Sequence, residues 1–177
     1  MRKVFLIFPI ISIILISCGV SKEMSTENIP TVDNFELERY LGTWHEIARL
    51  DHSFERGLEQ VTATYKRGDD PDEIIVINKG FNTRDDEWET AEGDACIPDP
   101  DNPAYLEVSF FLWFSSPYKV VKLDEDYRWA VVTSNTKEYL WILSREPNME
   151  HDLYERLVGW ARERGYPIDQ LTRVRQK

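Results

Sequence analysis

The sequence predicts an all-β fold, an eight-stranded antiparallel up-and-down β-barrel with a C-terminal α-helix packed on its wall. Three observations lead to this fold class. Short runs of strand-forming residues follow one another at hairpin distances between residues 42 and 144, separated by turn residues. No helical pattern lies between these runs, which excludes a parallel α/β layout. The one strong helical pattern comes after the last run.

The strand pattern is clearest where apolar and polar side chains alternate. In the run from Tyr105 to Phe111, Leu106, Val108 and Phe110 face one side. A series of short antiparallel strands must stack as two sheets or close on itself, and closure removes exposed edges. The eight predicted strands cover residues 46–50, 61–65, 73–79, 88–95, 105–111, 118–123, 128–133 and 139–144.

The predicted C-terminal helix begins after Pro147 and Asn148 and ends at Gly165. One face of it is apolar, as expected of a helix that covers the barrel wall. A further short strand is predicted at residues 171–175. The apolar face consists of Met149, Leu153, Leu157, Trp160 and Ala161.

Gly42-Thr43-Trp44 is predicted to close one end of the barrel. A short helical turn over residues 35–41 precedes it, and a strand follows. Glycine permits a tight turn and a close backbone approach, and indole is the largest apolar side chain available as a plug. The same three residues are also compatible with an ordinary core tryptophan after a turn.

The first 17 residues are predicted to be a signal peptide that takes no part in the fold. Arg2 and Lys3 precede an apolar run that is too short for a membrane span. The run ends in Leu15-Ile16-Ser17-Cys18, which resembles the bacterial lipoprotein signal. This resemblance implies cleavage before Cys18, lipidation of Cys18 and, since Gly19 follows, an outer-membrane destination. An uncleaved anchor with an incidental cysteine is the alternative.

Residues 18–34 are predicted to be the lipidated cysteine and a flexible tether, because no apolar period occurs there. Cleavage before Cys18 leaves 160 residues, predicted to be anchored by acyl chains, and takes the formal net charge from −11 to −13. So acidic a chain is repelled by nucleic acid and by anionic lipid headgroups. With Cys18 lipidated, Cys96 is the one cysteine left, which excludes an internal disulfide. The sequence leaves the role of Cys96 open.

Catalysis is not expected. His52 and Ser53 lie beside Asp51 and near Glu55, but neighbouring residues of one loop rarely point at one another, and no Gly-x-Ser-x-Gly motif occurs. The three histidines lack metal-ligand spacing. The sequence therefore predicts neither an enzyme nor a metal or cofactor site.

Three motifs together resemble those of the lipocalin family. They are Gly42-x-Trp44 on the first strand, Leu123-Asp124 in the turn after the sixth, and Arg145 at the end of the eighth. The second motif is degenerate, and His45 stands where an aromatic residue usually follows the tryptophan. With the lipoprotein signal, the chain is similar to the bacterial outer-membrane lipocalins over residues 35–177, which is the predicted barrel domain.

The meander places these motifs at one end, independently of the resemblance, because alternate turns of an up-and-down barrel share an end. Arg145 is predicted to lie across the face of Trp44, a cation–π contact of about 0.5–2 kcal/mol; a surface arginine after a strand is the alternative. The other end is the predicted mouth, with loops 51–60, 81–86, 112–117 and 134–138. The predicted barrel-closing residues are Gly42, Trp44, Asp124 and Arg145.

The lipocalin pattern places Ala63 inside the barrel, and alternation then assigns the other inward side chains. The lining is apolar and aromatic, as expected of a pocket for one aliphatic chain, although the same side chains could also fill a solid core. Asn78, Tyr118 and Tyr139 are predicted toward the mouth. Glu46 follows Trp44 by two positions and is a candidate for an inward position, which the sequence leaves open; a buried carboxylate needs a partner that the sequence does not name. The predicted ligand-binding residues are Ala63, Tyr65, Val76, Asn78, Val108, Phe110, Tyr118, Val120, Tyr139 and Trp141.

The resemblance implies an outer-membrane-anchored protein at the periplasmic face that stores or transports a fatty acid, such as palmitate, or a lysophospholipid. The alternative is an envelope assembly or stress module that binds other proteins and no lipid. Its contact patch would be Leu112, Trp113 and Phe114. The sequence leaves open the natural ligand, the direction of transport and whether the chain forms a homodimer.

Overall fold

Eight antiparallel strands close into a barrel in the computed structural model, which describes residues 24–70, 73–111 and 114–176. Each strand pairs with the next one in sequence, and β1 pairs with both β2 and β8. Closure satisfies the backbone groups that an open edge would expose. The strands are β1 (Gly42–Leu50), β2 (Leu58–Arg67), β3 (Ile74–Asn82), β4 (Glu87–Cys96), β5 (Tyr105–Phe111), β6 (Phe114–Leu123), β7 (Trp129–Thr133) and β8 (Leu140–Ser144).

The predicted fold class is confirmed, including the last short strand, β9 (Leu171–Arg173), which pairs with β1 outside the barrel meander. One predicted loop is wrong. Residues 112–117 were expected to form it, but β6 begins at Phe114, and Ser116 and Pro117 lie opposite Val108 and Glu107 of β5. A proline inside the run suggested a loop, yet this part of β6 still pairs in register with β5.

Two helices complete the fold, α1 (Leu37–Tyr40) before β1 and α2 (His151–Glu163) after β8. Leu157, Val158 and Ala161 of α2 are buried and pack against outward-facing apolar residues of β1 and β8. The helix thus covers the barrel wall, as predicted. No helix within the described ranges is long and apolar enough to cross a membrane.

The end of the barrel where β1 begins is closed by Arg145 and Trp44. The guanidinium carbon of Arg145 lies 3.8 Å from the centre of the buried Trp44 ring. The same guanidinium donates hydrogen bonds to five backbone carbonyl oxygens, and the indole N–H of Trp44 donates to the Tyr40 carbonyl at 2.8 Å. One side chain therefore holds α1, the start of β1 and the β6–β7 turn together.

Gly42 fits this closed end for two reasons. Its φ of +96° is in the region that favours glycine, and a Cβ there would lie 3.3 Å from Nη1 of Arg145.

Asp124 lies at the same end of the barrel, but its contacts stay within the β6–β7 turn. Its carboxylate accepts hydrogen bonds from the Arg128 side chain, at 2.7 Å, and from the Asp126 backbone, which shapes the β6–β7 turn. The hydrogen bond from Arg128 lowers the pKa of Asp124.

The flexible tether predicted before the barrel is wrong for residues 24–34, which we call the N-terminal strap. Thr26 and Ile29 are buried, and their carbonyl oxygens accept hydrogen bonds from Nζ of Lys119 at 2.8 and 2.9 Å. Further along, the Val32 N–H donates to the Val120 carbonyl. Scattered apolar residues without a period gave no sign of this packing. The predicted signal peptide and Cys18 lie outside the described residues.

We expect Arg145→Ala to lower the free energy of unfolding by about 3 kcal/mol, because five carbonyl oxygens lose a charged donor and Trp44 loses its cation. Chemical denaturation followed by tryptophan fluorescence measures this change. Arg162→Ala, at an exposed position of α2, is the matched control and should change stability by less than about 0.5 kcal/mol. Equal, small effects of both changes would contradict the assigned role of Arg145.

Candidate ligand-binding site

A cavity of about 140 Å³ lies inside the barrel between the closed end and the mouth. Trp44, at the start of β1, closes one end of the cavity. The other end of β1 leads to the loop at residues 51–57, which lies at the mouth. Its walls are mostly apolar, with side chains from six of the eight barrel strands represented. The apolar and aromatic lining residues are Phe54, Val61, Ala63, Tyr65, Val76, Val108, Phe110, Pro117, Tyr118, Trp141 and Leu143.

Most of the predicted lining residues do lie on this cavity. The inward positions of β2, β3, β5 and β8 alternate as expected, whereas three consecutive residues of β6, Ser116, Pro117 and Tyr118, line the cavity. The eight predicted residues on the cavity wall are Ala63, Tyr65, Val76, Asn78, Val108, Phe110, Tyr118 and Trp141.

Two predicted lining residues lie elsewhere. Val120 points inward but is fully buried in the core at the closed end, below the ring of Tyr118. Tyr139 precedes β8 and stacks on Trp141, with ring centres 5.9 Å apart, above the cavity wall. Alternation along a strand gives the face correctly, but it gives no height along the barrel axis.

Three tyrosine hydroxyls form a hydrogen-bonded cluster toward the closed end, where Tyr65 and Tyr118 line the cavity. Tyr118 lies at the centre, with its hydroxyl 2.6 Å from that of Tyr40 and 2.8 Å from that of Tyr65. Burial raises the pKa of all three phenols, so they are neutral donors and acceptors. The prediction that Tyr118 lies toward the mouth is therefore wrong, since its hydroxyl faces α1 at the closed end.

A β-bulge in β1 turns a charged side chain toward the barrel interior. The pairing of β1 with β8 shifts between Glu46 and Ala48, so Ile47 and Ala48 both join the apolar cluster beneath α2. Strict alternation would point Arg49 outward. The extra residue re-aims it, and Arg49 is buried beside Glu46.

Arg49 is the partner that the buried Glu46 carboxylate requires. Its Nη1 lies 2.6 Å from Oε1 of Glu46, and both side chains are almost fully buried. Its Nη2 donates to the backbone carbonyls of Glu55 and Leu58. These hydrogen bonds tie residues 51–57, which we call the mouth loop, and the start of β2 to β1. Because each buried charge has a hydrogen-bonded partner, the pair is tolerated inside the barrel.

Glu55 places a second carboxyl group in the same cluster. Its Oε2 accepts a hydrogen bond from the indole N–H of Trp141 at 3.2 Å and lies 3.7 Å from Nε of Arg49. Burial, reinforced by the neighbouring Glu46, raises the pKa of Glu55 to about 8. Glu55 is therefore mostly protonated at neutral pH. Burial also raises the pKa of Glu46, which the charge and hydrogen bond of Arg49 counteract.

His52 and Phe54 form an aromatic rim above this cluster. Their rings stack with centres 3.9 Å apart, and the rings of Tyr139 and Trp141 lie 5.5 and 5.3 Å from that of His52. Burial, reinforced by the Arg49 charge, lowers the pKa of His52 to about 4, so the imidazole is neutral at physiological pH. Phe54 is 62% exposed.

The mouth loop does not assemble a hydrolytic triad. The Asp51 carboxylate pairs with Arg56 at 2.7 Å and is turned toward solvent. Nε2 of His52 lies 3.3 Å from Glu55 but makes no hydrogen bond to any described residue. The imidazole is thus an aromatic wall of the rim.

Sequence patterns do not reveal three of the site residues, Arg49, Phe54 and Glu55. The unpartnered Glu46 was the one available signal, since a buried carboxylate implies a cation nearby. The bulge that supplies this cation leaves no pattern in the sequence. Of the suggested contact patch, Leu112 and Trp113 lie outside the described residues. Cys96, whose role was left open, is exposed.

The comparisons with known proteins agree with this architecture. Residues 35–176 match the model of the lipocalin-like domain. The outer membrane lipoprotein Blc of Vibrio cholerae serotype O1 is 42% identical over 179 residues, covering 100% of both chains. The outer membrane lipoprotein Blc of Escherichia coli K12 is 41% identical over 163 residues, covering 92% of this chain and 90% of that protein.

Solved structures show the same barrel at much lower identity. Lobster apocrustacyanin A1 superposes with a TM-score of 0.65 at 15% identity, covering 79% of each chain. Insecticyanin from the tobacco hornworm Manduca sexta gives 0.63 at 19% identity, covering 84% of this chain and 85% of that one. The closed meander, the Trp44–Arg145 plug and a family match over almost the whole barrel together show that this chain belongs to the lipocalin family.

Proposed function

We propose that this protein binds the acyl chain of a fatty acid or lysophospholipid and stores or carries it at the periplasmic face of the outer membrane. The observation that supports this most is the cavity itself, which is apolar, closed at one end and polar near its mouth. An acyl chain entering tail first leaves its headgroup outside. No covalent step is involved.

The cavity volume indicates how deeply a chain is held. An engineered cavity of about 150 Å³ binds benzene, so 140 Å³ takes roughly six carbon atoms. Six buried methylene groups contribute about 5 kcal/mol, which corresponds to a Kd near the millimolar range. Tighter binding needs the remaining carbons to be covered at the mouth, where Phe54, Phe110 and Trp141 line the opening.

The same dimensions favour a lipid with one acyl chain. A one-ended cavity of this volume has room for a single hydrocarbon tail, so a diacyl phospholipid would leave its second tail in water. Because Glu55 is mostly protonated at neutral pH and Arg49 pairs with Glu46, the cluster holds no excess negative charge that would repel an anionic headgroup. Fatty acids and lysophospholipids are the lipids that meet both conditions.

The proposed location rests on the relatives and on the N-terminal sequence. The Vibrio and Escherichia proteins are named outer membrane lipoproteins, and Leu15-Ile16-Ser17-Cys18 has the form of a lipoprotein signal. Two or more acyl chains on Cys18 would suffice for stable anchoring. A protein-binding module without a lipid would need no cavity, so the cavity favours the lipid carrier.

Filling the cavity should abolish lipid binding without unfolding the barrel. We expect Ala63→Trp to raise the Kd for a fluorescent fatty acid at least about tenfold, because the indole occupies the space of the tail. Thr62→Trp, on the outward face of β2, is the matched control and should leave the Kd unchanged. Fluorescence titration measures both, and far-UV circular dichroism checks the fold.

Equal affinity of the two variants would contradict the proposed position of the acyl chain. The proposal would also be contradicted if Ala63→Trp still bound the fluorescent fatty acid and neither palmitate nor a lysophospholipid displaced it.

Binding of a fatty acid anion should weaken as pH rises through the pKa of Glu55. Glu55 is neutral below pH 8 and negative above it, so its ionisation places a charge near the bound carboxylate. We expect the Kd for palmitate to rise about threefold to tenfold between pH 7 and 9. In Glu55→Gln, which cannot ionise, the Kd should stay constant over this range.

A zwitterionic lysophosphatidylcholine is the matched ligand control, since its opposite headgroup charges nearly cancel the effect of Glu55. Calorimetric titration at each pH measures all of these affinities. An identical pH dependence in the wild type and Glu55→Gln would show that the headgroup lies away from Glu55.

A further inference from the structure

The N-terminal strap leaves the barrel at the rim of the mouth. The Met24 carbonyl accepts a hydrogen bond from the Lys137 backbone at 2.7 Å, and the Thr26 N–H donates to the Asn135 carbonyl at 3.1 Å. Ser25 forms a β-bridge with Thr136. These partners belong to the β7–β8 loop, which lies at the mouth because β8 runs antiparallel to β1.

From the mouth, the strap runs along the barrel to the closed end. Lys119 Nζ clamps the carbonyls of Thr26 and Ile29. The chain then continues into Phe35 and Glu36 at the closed end. There, the Tyr127 hydroxyl accepts a hydrogen bond from the Glu36 N–H at 2.8 Å. The first residue of the strap is therefore fixed near one end of the barrel.

Chain length limits where a lipid anchor on Cys18 can be. Met24 follows Cys18 by six positions, and a fully extended chain spans at most about 3.6 Å per position, or roughly 22 Å. A barrel with ten-residue strands tilted by about 40° is roughly 25 Å long. The anchor thus reaches the mouth easily, but it is too short to pass the closed end.

The distribution of charge also favours the mouth as the end that faces the membrane. The described loops at the closed end, residues 36–41, 68–70, 73, 97–104, 124–128 and 145–146, carry a formal net charge of −8. The mouth loops, residues 51–57, 83–86 and 134–139, carry −2. An anionic membrane surface repels the closed end more strongly.

We propose that the strap holds the mouth of the barrel against the membrane that carries the anchor, so that lipid passes directly between bilayer and cavity. Phe54, which is 62% exposed on the mouth loop, is the side chain that contacts the bilayer. This inference rests on the lipidation of Cys18 in the proposed function. It adds an orientation, which a freely flexible tether would not impose.

Depth-dependent fluorescence quenching on the full-length lipidated protein tests this orientation. Ser53→Cys places one label on the mouth loop and Glu125→Cys places another at the closed end, each in a Cys96→Ser background; Ser53 and Glu125 are exposed. The protein is reconstituted in vesicles of phosphatidylethanolamine and phosphatidylglycerol that contain a spin-labelled lipid. We expect the label on Ser53→Cys to be quenched and blue-shifted, and the label on Glu125→Cys to be unaffected.

A flexible Gly-Ser linker inserted between Ser21 and Lys22 is the control for the role of chain length. It should reduce the difference between the two labels and leave fatty acid affinity unchanged. Stronger quenching at the closed end, equal quenching at both ends, or a linker without effect would overturn the proposed orientation. An unmodified Cys18 in the mass spectrum would overturn it too.

Affinity for a fluorescent fatty acid, measured on the same samples, separates this inference from the proposed function. Loss of orientation with intact binding overturns only the orientation. Absence of binding contradicts the carrier function and leaves the measured orientation to stand by itself.

Discussion

The contact between Arg145 and Trp44 is the constraint on which the rest of the molecule depends. It joins the end of β8 to α1 and the start of β1. Without this contact, this end of the barrel would be open. Because this end is closed by packed, hydrogen-bonded groups, the interior has one opening. The one-ended cavity follows from that asymmetry, and the proposed tail-first entry of a ligand rests on it.

The second determinant is the bulge in β1, which brings Arg49 into the interior. Burial of charge is costly unless it is paired, and the Glu46–Arg49 pair also fixes the mouth loop through the carbonyls of Glu55 and Leu58. The bulge therefore links barrel pairing to loop position. The position of the aromatic rim, His52 and Phe54, therefore depends on the buried Glu46–Arg49 pair.

Much of the fold could be predicted from the sequence, because local patterns encode it. Alternation identifies strands, and the order of turns places Trp44, Asp124 and Arg145 at one end. The inward orientation of Arg49 could not be predicted, because a single extra residue reverses alternation without changing composition. The packing of the strap depends on one lysine, Lys119, and on long-range contacts that no local period reveals. Height along the barrel axis, which decided the places of Tyr118 and Val120, likewise depends on tertiary packing.

The central claim is that a cavity with one opening holds the tail of a single-chain lipid. Native mass spectrometry of the full-length protein, extracted in mild detergent from its own membrane, tests this claim most directly. We expect one fatty acid or lysophospholipid per protein, which is lost when Ala63 is replaced by tryptophan and kept when Thr62 is replaced by tryptophan. Protein that arrives empty, or that carries intact diacyl phospholipid, would contradict it.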